Sequence, residues 1–162
     1  MKKNQLQKTE MAKKGNNLVA ICHNIRSAYN IGSVFRTADG AGAVKIYLTG
    51  YTPAPPHPGI AKTALGAEKI VTWKKLARID AAIKKLKEEK YKIIALEQSK
   101  KSVPLDSFKP KGNIALILGN EVRGLGPAVL RKCDKIIEIP MRGEKESLNV
   151  SVAFGIAAYT IL

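Results

Sequence analysis

With 162 residues, 45% of them hydrophobic, the chain can bury one core without metal or disulfide support and is too short for a second full domain. Its 28 Lys and Arg against 13 Asp and Glu leave a formal charge of +15, which favours a polyanionic partner such as nucleic acid. Membrane is excluded as the expected partner, because no apolar run approaches the roughly 18 residues of a spanning helix and the N-terminus lacks a signal-peptide core; the expectation is a soluble cytoplasmic protein. Cys22 and Cys133 stand far apart and outside any C-x-x-C pair, so both are read as small buried residues. No metal site is expected from them or from His23 and His57.

Residues 1–16 carry five lysines and one acid with almost no apolar period, and are read as a flexible basic arm that either touches RNA phosphates or only solubilises. From residue 17 to 162 a single domain is expected. Short apolar runs alternate there with longer amphipathic segments, the pattern of an α/β domain with a mainly parallel sheet. Strands are predicted at Leu18–Cys22, Val44–Leu48, Ile70–Trp73, Lys92–Leu96, Ile114–Leu118 and Lys135–Ile139, all nearly continuously apolar, as strands covered on both faces should be. Tyr51–Gly59, rich in proline, is predicted to be a surface loop. Leu76–Glu89 reads as an amphipathic helix with Ile79, Ala82, Ile83 and Leu86 on one face. The last segment, Asn149–Leu162, is apolar almost all round, so it lies either in the core or against a second subunit, and Gly155 would permit close approach of another backbone.

Two glycine-rich stretches are deceptive. Gly119–Gly126 has the outer spacing of a phosphate loop but lacks its Lys and Ser/Thr, and Asp39–Val44 follows a helix and precedes a strand, the reverse of the dinucleotide-binding order. The second is read as a turn in which glycine ends a helix. Three other segments carry chemistry. Asn24–Gly42 places Asn30, Arg36 and Asp39 in or near one short helix, where Asn30 could be an N-cap and Arg36 could pair with Asp39. Ala115–Gly126 ends an apolar strand with Gly119 and then Glu121, at the strand end where α/β sheets gather ligands, although the acid could instead pair with Arg123. Ile137–Gly155 runs from a strand through a proline stop into the last helix, which Ser147 or Asn149 could cap.

Taken together, in this order and spacing, N-I-G-S-V-F-R-T-A-D-G-A-G, L-G-N-E-V-R-G-L and I-P-M-R-G-E-K-E-S-L-N-V-S-V-A resemble motifs one, two and three of the SpoU-type (TrmH-like) RNA 2'-O-ribose methyltransferases of the SPOUT superfamily. The resemblance covers about residues 18–162, and Thr63–Val71 is similar to the region leading into the family's third strand. It implies an α/β fold with a mainly parallel sheet, helices on both faces and a deep C-terminal trefoil knot, which general topology rules would not suggest. It also implies S-adenosyl-L-methionine as cofactor, transfer RNA or ribosomal RNA as substrate, and a homodimer formed through the last helix. Arg36, Asn30, Glu121, Ser147 and Asn149 match the family's catalytic positions. Leu96, Gly119, Ile139, Ser147 and Leu148 match its cofactor-binding positions.

Methyl transfer from a sulfonium requires the 2'-oxygen in line with the breaking bond, so alignment supplies much of the rate. The family assigns the arginine matching Arg36 to ribose and phosphate, with a proposed role as base. An arginine pKa above about 12 favours positioning and charge stabilisation instead. No separate RNA-binding domain of the kind many ribosomal-RNA members carry is expected within this sequence, which leaves target choice to the basic surface, the arm and the dimer. Two competing readings are a non-catalytic RNA-binding or assembly factor on the same scaffold, and a basic α/β domain acting on small anions.

Overall fold

Runs of β-branched and aliphatic residues five or six long are too short for buried helices and pair instead into a sheet. A computed structural model describes residues 17–162; the basic arm read over 1–16 lies outside the described residues. The strands are β1 Leu18–His23, β2 Lys45–Thr49, β3 Trp73–Leu76, β4 Lys92–Leu96, β5 Val103–Pro104, β6 Ile114–Leu118 and β7 Lys135–Glu138. The helices are α1 Ala28–Ala41, α2 Pro58–Ala64, α3 Ile79–Glu88, α4 Pro127–Leu130 and α5 Val150–Ile161. All seven strands are parallel, in the order β3-β2-β1-β6-β4-β7-β5. β6 therefore lies between β1 and β4, and β7 between β4 and β5, which brings the carboxyl ends of β4, β6 and β7 side by side.

Alternation along the strands sends side chains to two cores. Leu18, Ala20, Cys22, Leu116 and Leu118 pack with α1, α2 and α5 on one face, while Val19, Ile21, Ala115 and Ile117 pack with α3 and Val129 of α4 on the other. Helices thus cover both faces, as a parallel sheet needs. None of the described helices is long and apolar enough to cross a membrane.

β4 and β6 have the predicted bounds, β1 and β7 differ from theirs by one residue at one end, and β2 is shifted by one residue at both ends. The third strand begins three residues later than predicted: Ile70 and Val71 donate to Ala67 O and close a 3-10 turn, and Ile70 is exposed. Its true residues include Lys74 and Lys75, because β3 is an edge strand and edge strands tolerate charge that protects them from further pairing. Leu76 consequently ends β3 rather than starting α3, whose predicted apolar face of Ile79, Ala82, Ile83 and Leu86 is buried as read. Helix α2 begins inside the predicted loop, with His57 as N-cap and Pro58 at the first helical position. Cys22 is fully buried, whereas Cys133 is only half-buried. Burial, with the charge of Glu121, pushes the Cys22 thiol up to about 12, so it behaves as a small hydrophobe.

Gly42 ends α1 with φ +83°, accepting the left-handed conformation that the sequence suggested. Within one chain the close helix approach falls at Gly32 and not at Gly155. A Cβ at Gly155 would meet Thr37 Cγ2 at an ordinary 3.7 Å, whereas one at Gly32 would lie 2.0 Å from Thr63 Oγ1 and 2.3 Å from Ile60 O. Gly32 lets α1 sit on the backbone of α2. Gly32→Ala is expected to lower stability by about 1–3 kcal/mol through overpacking, while Gly155→Ala should be neutral or slightly stabilising in a helix interior. Thermal unfolding of the two variants checks the contrast.

Candidate functional site

Where β4, β6 and β7 end together, the loops that follow them enclose a cleft of about 290 Å³. Such a crevice beyond the carboxyl ends of parallel strands is where this architecture holds ligands. Leu96, Gly119, Ile139, Ser147 and Leu148, the five residues read as cofactor-binding, all line it. Val150 and Ala153 from the first turn of α5 line it too. Four acidic residues, Glu97, Glu121, Glu138 and Glu146, also line this cleft, in a chain whose net charge is +15.

At one rim a chain of hydrogen bonds joins the three motifs. Glu121 accepts from Arg26 N–H at 3.1 Å, from Ser27 N–H at 3.3 Å and from Asn30 Nδ2 at 3.2 Å. Asn30 Oδ1 accepts from Asn149 Nδ2 at 3.1 Å, and Asn149 Oδ1 accepts from Ser151 N–H at 2.9 Å and from its hydroxyl at 2.6 Å. The carboxylate can only accept, so it fixes the amide of Asn30; Asn30 in turn fixes that of Asn149, and the Ser151 amide agrees at the far end. Glu121 thus binds the entry of α1 and not Arg123.

The caps divide between the two readings. Ser27, not Asn30, is the N-cap of α1, accepting from Asn30 N–H at 3.2 Å; Asn30 sits three residues on, with its side chain free to face Glu121. Glu121 takes the Arg26 and Ser27 amides that a residue within the helix's first turn would otherwise have to satisfy. Asn149 does cap α5 and is simultaneously the last link of the rim chain. Ser147 lines the cleft without a side-chain hydrogen bond among the described residues.

Arg36 is not brought to this rim. It projects into a separate shallow depression with Ser33, Thr37, Gly40, Lys62, Thr63 and Tyr159. Six residues along a helix rise about 9 Å and turn about 240° beyond a full circle, so Asn30 and Arg36 face different ways.

Asn120, which the sequence reading passed over, organises the turn at the cleft. Its Oδ1 accepts from Val122 and Arg123 N–H at 2.9 and 2.8 Å, and its backbone carbonyl accepts from Gly124 N–H at 2.9 Å, folding the turn that carries Glu121. Its Nδ2 donates to Asn24 O and to Tyr51 Oη, each at 3.0 Å. Asn24, at φ +56°, donates to His23 Nε2 and accepts from Tyr51 N–H, while His23 Nδ1 meets Thr49 Oγ1 at 2.9 Å. The sequence signal was an Asn at the head of a Gly-ended turn, a position where its side chain mimics a backbone turn.

Burial works to raise the Glu121 carboxyl, but the backbone amides of its own loop, Arg26 and Ser27 and the side chain of Asn30 outweigh it and hold the pKa below the ordinary 4.5. A carboxyl depressed in the folded state contributes stability that is fully present above 4.5 and is lost as pH falls through the lower folded value. Glu121→Gln is expected to cost about 1 kcal/mol at pH 7, given the exposure of the rim. The gap from the parent should narrow as pH falls below 4.5 in chemical denaturation. A gap that stays undiminished however far the pH falls below 4.5 would assign the effect to shape and not to charge.

Comparison with known proteins follows the same motifs. Residues 17–159 match the family model described as the SpoU rRNA Methylase family. The tRNA (guanosine(18)-2'-O)-methyltransferase of Aquifex aeolicus is 33% identical over 157 residues, covering 92% of this chain and 70% of that protein. The 23S rRNA (guanosine-2'-O-)-methyltransferase RlmB of Acinetobacter baylyi is 29% identical, covering 88% of this chain and 58% of that one, so this chain spans little more than half the length of such relatives. Among solved structures, an AdoMet-bound rRNA methyltransferase from Sinorhizobium meliloti superposes with a TM-score of 0.85 at 26% identity, over 91% of this chain and 56% of that one. The Aquifex aeolicus TrmH/SpoU tRNA modifying enzyme superposes with a TM-score of 0.81 at 27% identity, over 97% and 81%. With the match running through all three motifs and nearly the whole described sheet, the chain belongs to the SpoU methylase family.

Proposed function

We propose that this protein transfers the methyl group of S-adenosylmethionine to a ribose 2'-hydroxyl of transfer or ribosomal RNA. The observation that carries the reading is the Glu121–Asn30–Asn149 chain, which joins residues from all three motifs at the rim of the cleft. The residues present fit the cofactor. The cleft mixes apolar walls at Leu96, Ile139 and Leu148 with polar groups and four acidic residues, whose charge suits a cationic sulfonium. When bound, S-adenosylmethionine supplies an electrophilic methyl group.

The chain's own residues would then hold and align. Gly119, Ile139 and Leu148 offer backbone and apolar contact to adenosine, and Ser147 with Asn149 orders the loop at the entrance of α5. Asn30, fixed between Glu121 and Asn149, would orient the ribose, and Arg36 would bind phosphate or the developing charge. The substrate reading favours transfer RNA first, in line with the Aquifex relative, and ribosomal RNA as a close second. A non-catalytic RNA-binding role on the same scaffold is the alternative.

Residues 17–162 form one methyltransferase domain preceded by a basic arm over 1–16, and the loops around β6 and β7 form a trefoil knot. Two copies pair through α5, where Val152, Ile156 and Tyr159 recur at helical spacing yet are 50, 42 and 65% exposed. Tyr159 also lines the depression of Arg36, so pairing along α5 would place Arg36 at the junction of two protomers. The protein is expected to act in the cytoplasm.

Isothermal titration with S-adenosylmethionine tests the enzyme reading, and absence of binding would sink it. Mass-spectrometric mapping of 2'-O-methyl nucleotides in transfer and ribosomal RNA identifies the substrate. Arg36→Ala should lower methylation by at least about 100-fold, the size of a lost charge-stabilising contact, while cofactor affinity changes little. Ile156→Asp should convert dimer to monomer in sedimentation, and an unaltered dimer would remove α5 from the interface.

A further inference from the structure

The loop that leaves β4 grips both of its neighbours. Glu97 Oε2 accepts from Leu125 N–H at 2.8 Å, Oε1 accepts from Gln98 N–H at 3.0 Å, and the Glu97 N–H donates to Ile137 O at 2.9 Å. Its carboxylate lies so close under the neighbouring turn that a Cβ at Gly124, whose φ is +62°, would stand 2.3 Å from Oε2. The next residue reaches the other way, Gln98 Nε2 donating to Glu146 O at 2.6 Å. Both residues line the cleft.

These contacts lie at one end of a longer path. The turn Asn120–Leu125 is closed by the Asn120–Gly124 bridge, and the Glu97–Leu125 bond holds its exit. Glu121 stands inside that turn and holds the Arg26 and Ser27 amides and Asn30. A shift at the exit of the turn therefore moves the carboxylate that anchors α1. We infer that Glu97 is a positioning residue of the cleft: by holding the Leu125 amide it sets where Glu121 stands, and through Glu121 it sets the start of α1 and the Asn30–Asn149 link. The inference rests on reading the cleft as the methyl-donor site.

The experiment compares wild type, Glu97→Ala and Glu97→Gln by residue-resolved amide hydrogen exchange without ligand, and by titration of each with S-adenosylmethionine. In Glu97→Ala the Leu125 amide, left without its acceptor, is expected to exchange at least tenfold faster. The Arg26 and Ser27 amides, nearly a hundred residues away in sequence, are expected to exchange at least threefold faster. Donor affinity should fall at least tenfold. Glu97→Gln keeps one acceptor oxygen, so it should restore more than half of each loss on a logarithmic scale. Should Glu97→Ala fail to fold, Glu97→Gln alone decides, with a smaller but parallel rise at Leu125, Arg26 and Ser27. Faster exchange confined to Leu125 would reduce Glu97 to a local brace and overturn the inference, as would unchanged donor affinity in a variant whose wild type binds. If wild type itself fails to bind the donor, the methyltransferase reading falls, and exchange at Arg26 and Ser27 still decides whether Glu97 positions Glu121.

Discussion

The placement of β6 between β1 and β4 governs the molecule. β6 is buried along its whole length and pairs in register with both neighbours, Ala115 beside Val19 and Ile93, Leu116 beside Ala20 and Ile94. Because all the strands run the same way, this arrangement lines up the ends of β4, β6 and β7, and three loops distant in sequence meet over one cleft. The same parallel order obliges helices to cover both faces. One of them, α1, then begins beside β6's exit, where the Glu121 carboxylate accepts from the Arg26 and Ser27 amides just ahead of the helix. Cleft, rim and helix start are three results of one strand order.

Polar residues near the sheet ends are connected beyond the rim. Asn120 joins the turn of Glu121 to the end of β1 through Asn24 O and to the loop after β2 through Tyr51. There the acceptor role of His23 Nε2 toward Asn24 leaves Nδ1 to donate to Thr49, whose hydroxyl reaches Cys22 O at 3.3 Å. Burial lowers the His23 pKa against the opposing pull of Asp80, so the neutral ring suits that pattern. These bonds run across the carboxyl edge of the sheet as one continuous polar network.

How much of this was legible depended on whether the signal was local. β4 and β6 could be read to the residue because they are covered on both faces and, apart from Lys92, apolar throughout. β3 could not, since an edge strand half exposed to solvent accommodates Lys74 and Lys75 and breaks the apolar run. α2 hid behind prolines that mark a helix start as readily as a loop. Strand order has no local signature at all; motif order supplied the family and, with it, the architecture. At the site, Asn30, Glu121 and Asn149 were named from motifs, but their mutual bonds join positions 91 and 119 residues apart. Asn120 and Glu97 escaped notice because their bonds to Asn24, Tyr51 and Leu125 join distant positions. Arg36 was named too, yet helical geometry turns it away from Asn30 within one chain.

The glycine notch in α1 has a consequence for positional tolerance. Gly32 stands between Asn30 and Arg36, its α-carbon seated against the backbone of α2, and the Thr63 hydroxyl donates to Tyr29 O at 2.7 Å beside it. One end of the helix is tied to Glu121 and the other is closed at Gly42. A helix pinned at both ends and keyed in the middle cannot slide by even one residue's rise of about 1.5 Å without unseating a key from its slot. The two polar side chains it carries therefore keep a fixed separation along a rigid rod, so any ligand spanning them is measured against a ruler rather than gripped by a flexible hand.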